Sequence, residues 1–164
     1  MSSQKGFTLI ELMISLGILA ILATMAVPSF QGVIEKNRVT SQANSLLSAV
    51  QTARSEAVRR GVPIGFSAIG GDYDDGWCVH TGINCEAGVI LITGETNSAV
   101  VYGGPTTIAF DARGQRSLPT FGTDGAESQF TLQPTGCAVT TPNRQRIVQI
   151  GIGGRSLVIR GACT

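Results

Sequence analysis

One histidine, His80, must carry any imidazole chemistry of this 164-residue chain. A metal centre built on several histidines is therefore excluded, and a Ser–His–Asp hydrolase would depend on that single ring. No nucleophile–base–acid set is visible around it, so the chain does not read as an enzyme and implies no cofactor. Charge is scarce as well: 12 Lys and Arg stand against 11 Asp and Glu, for a formal charge of +1. That balance excludes a wholly basic nucleic-acid binder, although not a local cationic patch. Disorder is excluded by the opposite measure, because 43% hydrophobic residues suffice to bury a core. The length allows one domain with an appendage.

A longer absence organises the N-terminal third. After Glu11 no charge occurs from Leu12 to Ile34, a run of 23 residues. As a helix this run is about 35 Å long, enough for a hydrocarbon core of about 30 Å. A membrane helix is the leading expectation, and Lys5 on its N-terminal flank places that end in the cytoplasm. The remaining residues then lie beyond the inner membrane. An ordinary secretory signal would end in a small-residue cleavage site, which the Ala23–Ala26 region mimics. Against that, the helical pattern runs straight on past it. Glu11 is the odd residue of the run, since a carboxylate in a membrane costs on the order of 2.5–3.5 kcal/mol. The sequence offers it no partner within its own helix.

Lys5-Gly6-Phe7-Thr8-Leu9-Ile10-Glu11 resembles the processing site of type IV pilins and pseudopilins. The resemblance implies that prepilin peptidase cleaves after Gly6 and that Phe7 becomes N-methylated. It further implies that Glu11 pairs with the N-terminal amine of a neighbouring subunit when helices stack in a filament. Such a partner would neutralise an otherwise costly carboxylate. The family reading divides the chain into a leader (1–6), a transmembrane and filament-core helix (7–30), an amphipathic continuation (31–60) and an extracytoplasmic β domain (61–164). Pro28 should kink the helix near Thr24, and in filaments of this family the stretch from Gly17 to Pro28 can lose helical order.

Beyond Pro28 the apolar positions Val39, Ala43, Leu46, Val50, Ala53 and Ala57 fall at helical spacing and predict one buried stripe. Arg59, Arg60, Gly61 and Pro63 mark the helix end. From Gly61 onward, 104 residues carry 18 of the 21 glycines between short β-branched runs. They predict antiparallel strands over residues 62–69, 77–81, 89–93, 99–102, 106–110, 129–133, 146–150 and 156–160. The fold class is therefore α+β, a long N-terminal helix packed on a small antiparallel β-sheet domain.

Local matches refine the resemblance. Ala53-Arg54-Ser55-Glu56-Ala57 with Val62-Pro63-Ile64, then Gly76-Trp77 and Ile108-Ala109-Phe110, are similar to the GspH/FimT branch. That branch implies either a FimT/FimU-like minor pilin, which helps initiate pilus assembly, or a minor pseudopilin of type II secretion. All four cysteines, Cys78, Cys85, Cys137 and Cys163, follow the helix. Their even number in an oxidising compartment predicts disulfides. Four cysteines allow three pairings; Cys78–Cys85 across a hairpin and Cys137–Cys163 at the C-terminus are favoured. The C-terminal pair resembles the minor pilins more than the secretion pseudopilin. Zinc held by Cys78, His80 and Cys85 is the alternative, but no tight C-x-x-C pair supports it, and no metal is expected. His80 reads as a strand residue with a satisfied hydrogen bond, and Asp72-Tyr73-Asp74-Asp75-Gly76 as an acidic turn rather than a calcium loop.

Charge is also segregated. Residues 72–111 hold six acids and no Lys or Arg, whereas residues 137–164 hold Arg144, Arg146, Arg155 and Arg160 with no acid. Arginine pairs bidentately with phosphate, so these four are candidate DNA contacts. Four phosphate contacts would give a log–log salt slope of about −3.6. DNA-binding FimT-like pilins carry a Gly-Arg-x-Arg tail, and Gly154-Arg155-Ser156-Leu157 keeps its first arginine but not its second. In an unbroken strand Arg155 and Arg160 would face opposite sides. The bland counterpart is a set of solvated edge arginines that discourage strand aggregation. Pilin or pseudopilin subunits, prepilin peptidase, the inner membrane and DNA are the partners these readings imply.

Overall fold

The computed structural model describes residues 6–118 and 127–164, apart from the side chains of residues 25–29. One helix, α1 (Leu9–Arg60), precedes nine strands: β1 (Ile64–Ala68), β2 (Trp77–Thr81), β3 (Val89–Gly94), β4 (Val100–Gly103), β5 (Thr107–Phe110), β6 (Arg116–Leu118), β7 (Ser128–Pro134), β8 (Gln145–Ile150) and β9 (Ser156–Gly161). The chain forms two compact units, Met1–Glu35 and Lys36–Thr164, whose boundary falls within α1. Pro28 lies among residues 25–29, outside the described side chains, and the backbone there stays within α1.

The helix begins at Leu9, two residues after Phe7, because Thr8 caps it. Thr8 Oγ1 accepts from Glu11 N at 3.3 Å, and Glu11 Oε2 accepts from Thr8 N at 3.0 Å. Thr8 Oγ1 also donates to Glu11 Oε2 at 2.9 Å. Thr8-Leu9-Ile10-Glu11 is thus a capping box, in which each side chain satisfies the other's backbone donor. This corrects the expectation that Glu11 has no local partner; the Thr-x-x-Glu signature was present in the sequence. At the other end Glu56 pairs with Arg59 at 2.5 Å and with Arg60 at 2.6 Å. Gly61 then takes φ +68°, the left-handed stop that a glycine adopts without strain.

In the second unit the stripe Val39, Ala43, Leu46, Val50, Ala53 and Ala57 is at most 1% exposed. It packs against two antiparallel sheets rather than one, ordered β3-β2-β1-β5-β6 and β4-β7-β8-β9. The two sheets share one core with the stripe: Ile64, Phe66, Ile108 and Phe110 come from the first, and Phe130, Leu132, Val148 and Ile150 from the second. Phe66 meets Phe130 edge-to-face at 5.7 Å, which joins the sheets at their centre. Strand β7 alternates buried residues with exposed or half-buried ones, the pattern of a sheet covered on one face. Strand β1 is buried throughout, because its Gly65 and Ser67 lie under His80, Cys78 and the loop that follows β2. Strand β6 was not anticipated; three residues after a turn carry too little periodicity to read.

The disulfides join Cys78 to Cys85 and Cys137 to Cys163. Cys78, His80 and Cys85 bring a ligand atom each within 4.8 Å of one another, but both sulfurs are committed to the bond. His80 is fully buried. Its Nε2 lies 2.8 Å from Ser67 Oγ, which donates to Thr107 Oγ1 at 3.1 Å. The ring covers Gly65 so closely that a Cβ there would lie 2.5 Å from His80 Cε1. The Nε2 contact fits the expectation of a strand histidine with a satisfied hydrogen bond, while Nδ1 has no hydrogen-bond partner among the described residues. The acids of residues 72–75 are exposed except for the intervening Tyr73, and Asp72 Oδ1 accepts from Asp74 N at 3.0 Å in a simple turn.

Two measurements test this packing. Leu46→Ala leaves a cavity where helix and sheets meet, and should lower unfolding stability by about 2–5 kcal/mol in urea titration. Burial pushes the His80 imidazole below its ordinary pKa of 6.5, with the Thr81 backbone opposing in part. The unfolded chain therefore binds this proton more tightly than the folded one. Stability should be highest above the ordinary value and fall as pH drops through it, and the melting temperature of His80→Gln should depend less steeply on pH between about 7 and 5.5.

Candidate functional site

Two regions of the surface present chemistry that the core does not use: the start of α1 and a divided set of arginines. Gly6, Phe7 and Thr8 precede the helix, and Phe7 is 92% exposed. From Leu9 to Leu22 the large apolar side chains of this unit remain more than half exposed on every face. A helix that is apolar all round requires a non-aqueous environment or other helices. Among the described residues no helix is long and apolar enough to cross a membrane. The described side chains of this stretch stop at Thr24, so the segment expected to span extends outside them. Glu11, held by Thr8, is exposed on this surface.

The four arginines singled out in the sequence do not form one cluster. Arg155 is exposed and precedes β9 instead of lying in it, so alternation along a strand does not relate it to Arg160. It lines an open groove of about 570 Å³ with Arg54, Val58, Arg59 and Ser156. Arg54 shapes the groove: its Nε donates to Gly114 O and its Nη2 to Gly153 O, each at 2.9 Å. Gly154 lies against this bridge with φ +75°, and a Cβ there would lie 2.2 Å from Gly114 O. The glycine of the Gly-Arg sequence is thus demanded by packing.

Arg146 and Arg160 stand directly opposite each other on β8 and β9, with Arg144 half-buried just before β8. The register puts Arg146 on the same face as Val148 and Ile150, both fully buried. Arg146 is itself buried, and its Nη1 donates to Asn143 O at 3.2 Å and Gln145 O at 3.0 Å. Burial and then the charge of Arg160 hold its guanidinium below the ordinary arginine pKa. Lys36 from α1 completes this second pocket with Asn37, Thr40 and Asn143, around a cavity of about 390 Å³. Sequence reading missed Lys36, although it is the first cation after the long uncharged run. The two pockets use α1 residues at 36–40 and 51–59, so at least 11 residues, or roughly 16 Å of helical rise, separate them.

Comparison with known proteins agrees with both ends of the chain. The pattern of the family described as "Type II transport protein GspH" matches residues 42–162. A "Prokaryotic N-terminal methylation motif" matches residues 1–27. A type IV major fimbrial protein FimA of Dichelobacter nodosus is 29% identical over 151 residues, covering 83% of this chain and 97% of that protein. A fimbrial protein of Pseudomonas aeruginosa is 45% identical over 83 residues, 49% of this chain. The chain spans about half (53%) of the length of that curated relative. Two crystal structures of the Pseudomonas aeruginosa type IV minor pilin FimU share the fold, with TM-scores of 0.55 and 0.59 at 20% and 21% identity. They cover 73% and 76% of this chain, and 91% and 90% of their own. With its methylation motif, its long helix on antiparallel sheets and a family pattern over 42–162, this chain belongs to the GspH family, whose members are structural pilin- and pseudopilin-like proteins.

Proposed function

We propose that this chain is a minor type IV pilin, stored in the inner membrane and then drawn into a filament. In this reading prepilin peptidase removes residues 1–6 after Gly6, and the new N-terminus at Phe7 is methylated. Residues 7–30 anchor the subunit and later pack against neighbouring helices, while the domain from residue 61 stays beyond the inner membrane. The observation that carries the reading is the helix start, where apolar side chains exposed on every face surround one carboxylate. Such a surface is stable in lipid or among like helices and nowhere in water.

Glu11 has a specific part in this account. Thr8 already holds Oε2 at the helix start, which fixes the carboxylate before any neighbour arrives. The amine of an adjacent subunit then supplies the positive charge that a carboxylate in apolar surroundings requires. The same family also supports a secretion pseudopilin. The Cys137–Cys163 bond, which ties down the C-terminal segment, favours the minor pilin.

DNA binding is a second, compatible property, and the exposed Arg155 beside Arg59 supports it. Arg144, Arg146 and Arg160 belong to the other end of β8 and β9, so a duplex on the Arg155 groove would engage fewer than four of the original set.

Glu11→Gln separates the roles of the carboxylate, because glutamine also serves in a capping box but carries no charge. The variant should accumulate in the membrane and fail to enter filaments, scored by immunoblot of sheared pili; incorporation at the normal level would refute charge pairing. For DNA, the full chain in neutral detergent should bind duplex with strong salt dependence. Arg155→Gln should weaken that binding and make the log–log slope shallower by about 0.9. An unchanged slope would remove Arg155 from the contact.

A further inference from the structure

The pocket of Lys36, Arg146 and Arg160 lies beyond residues 7–30, the segment proposed to stack in a filament, and its construction is costly. Two arginines stand directly opposite each other, on the sheet face that buries Val148 and Ile150. Like charges so placed repel, and the burial of Arg146 removes water that would screen the pair, although Arg160 itself is exposed. A third cation, Lys36, faces the same cavity, and none of the described lining residues is acidic. Asn37, Thr40 and Asn143 add polar side chains around them. A compact anion accepting hydrogen bonds from several sides offsets that repulsion, and a phosphate suits arginine forks particularly well.

The position of Lys36 indicates where that phosphate comes from. Lys36 follows Ile34, the last residue of the uncharged run, by two positions. Along a helix that is about 3 Å. If residues 7–30 are the membrane anchor proposed above, Lys36 stands six positions, or about 9 Å of helical rise, beyond its end, and its long side chain lies at the level of the lipid headgroups. We infer that the Lys36–Arg146–Arg160 pocket binds the phosphate of an anionic phospholipid in the leaflet facing the β domain. The site holds the stored subunit by its headgroup-level cations. Extraction into a filament then breaks this contact along with the anchor's contacts to lipid. Duplex DNA is the other polyanion of fitting chemistry, but the exposed groove at Arg155 lies roughly 16 Å of helical rise further along α1.

This inference rests on the membrane-anchor reading, and the test separates the two. First, the full chain is mixed with phosphatidylcholine vesicles and floated on a density gradient. A chain that stays at the bottom overturns the anchor and this site together. For a chain that floats, native mass spectrometry in neutral detergent then measures binding of short-chain phosphatidylglycerol against phosphatidylcholine. One phosphatidylglycerol per chain should bind in preference to phosphatidylcholine. The Lys36→Gln, Arg160→Gln double variant should bind it about thirtyfold more weakly, the share of two basic residues at a lipid surface. Arg155→Gln should match the wild type. If the double variant melts early, Lys36→Gln alone, on the exposed helix surface, should still show about a fivefold loss.

Equal binding of the two lipids, or an equal loss in Arg155→Gln, would overturn the site while leaving the anchor intact. Competition by glycerol phosphate as strong as by the lipid would reassign the pocket to free phosphate. Duplex DNA binding that the double variant loses, and Arg155→Gln keeps, would reassign it to nucleic acid.

Discussion

The second half of α1 can pack against both sheets at once only because its buried stripe is narrow and rich in alanine. Ala43, Ala53 and Ala57 let backbone and strands approach, while Leu46 and Val50 fill the core that also holds the Phe66–Phe130 contact. Larger residues at the alanine positions would force the sheets outward and open voids around the aromatic contact. The rest of the domain follows from this constraint. Neither sheet is covered well enough to stand alone, and the helix supplies the surface that both lack. Tyr102 and Tyr73 stack at 5.5 Å beside this core, and their hydroxyls donate to Gln42 Oε1 and Pro105 O.

The first half of the same helix obeys the opposite rule. It has no polar face to offer water, and its only ionisable side chain is tied to the residue before the helix. The capping box satisfies backbone donors at the helix start. It also means that Glu11 enters any assembly with its rotamer already chosen, so that less entropy is lost on pairing. A carboxylate that stabilises helix initiation, and that we propose pairs at assembly, would link local structure to function in four residues.

The arginines illustrate how charge is distributed by topology. Arg54 is consumed in holding the turns at Gly114 and Gly153, and Arg59 is paired with Glu56. Arg146 and Arg160 are forced together by the β8–β9 register. Their juxtaposition is unfavourable by itself, and it is tolerated at the open end of the core where Lys36, Asn37 and Thr40 leave a cavity. The cations beside that cavity and those beside Arg155 therefore form two separate surface sites.

Much of this architecture was legible in the residues. Helical spacing picked out six of the seven buried residues among those described in α1, missing Ala49, and short β-branched runs between glycines located eight of the strands to within two residues at each end. Periodicity works there because burial on one face imposes it. The Thr-x-x-Glu cap was equally present in the sequence, as a local hydrogen-bonding pattern of four residues. What the sequence could not contain was the partition of the strands into two sheets, since it depends on which distant edges find each other. The burial of β1 on both faces follows from that partition and from the loop closed by Cys78–Cys85. The grouping of Lys36 with Arg146 and Arg160, and the separation of Arg155 from them, likewise needed the tertiary structure. Residues more than a hundred positions apart become neighbours only when a sheet register brings them to the same end of a helix, and no local pattern encodes that distance.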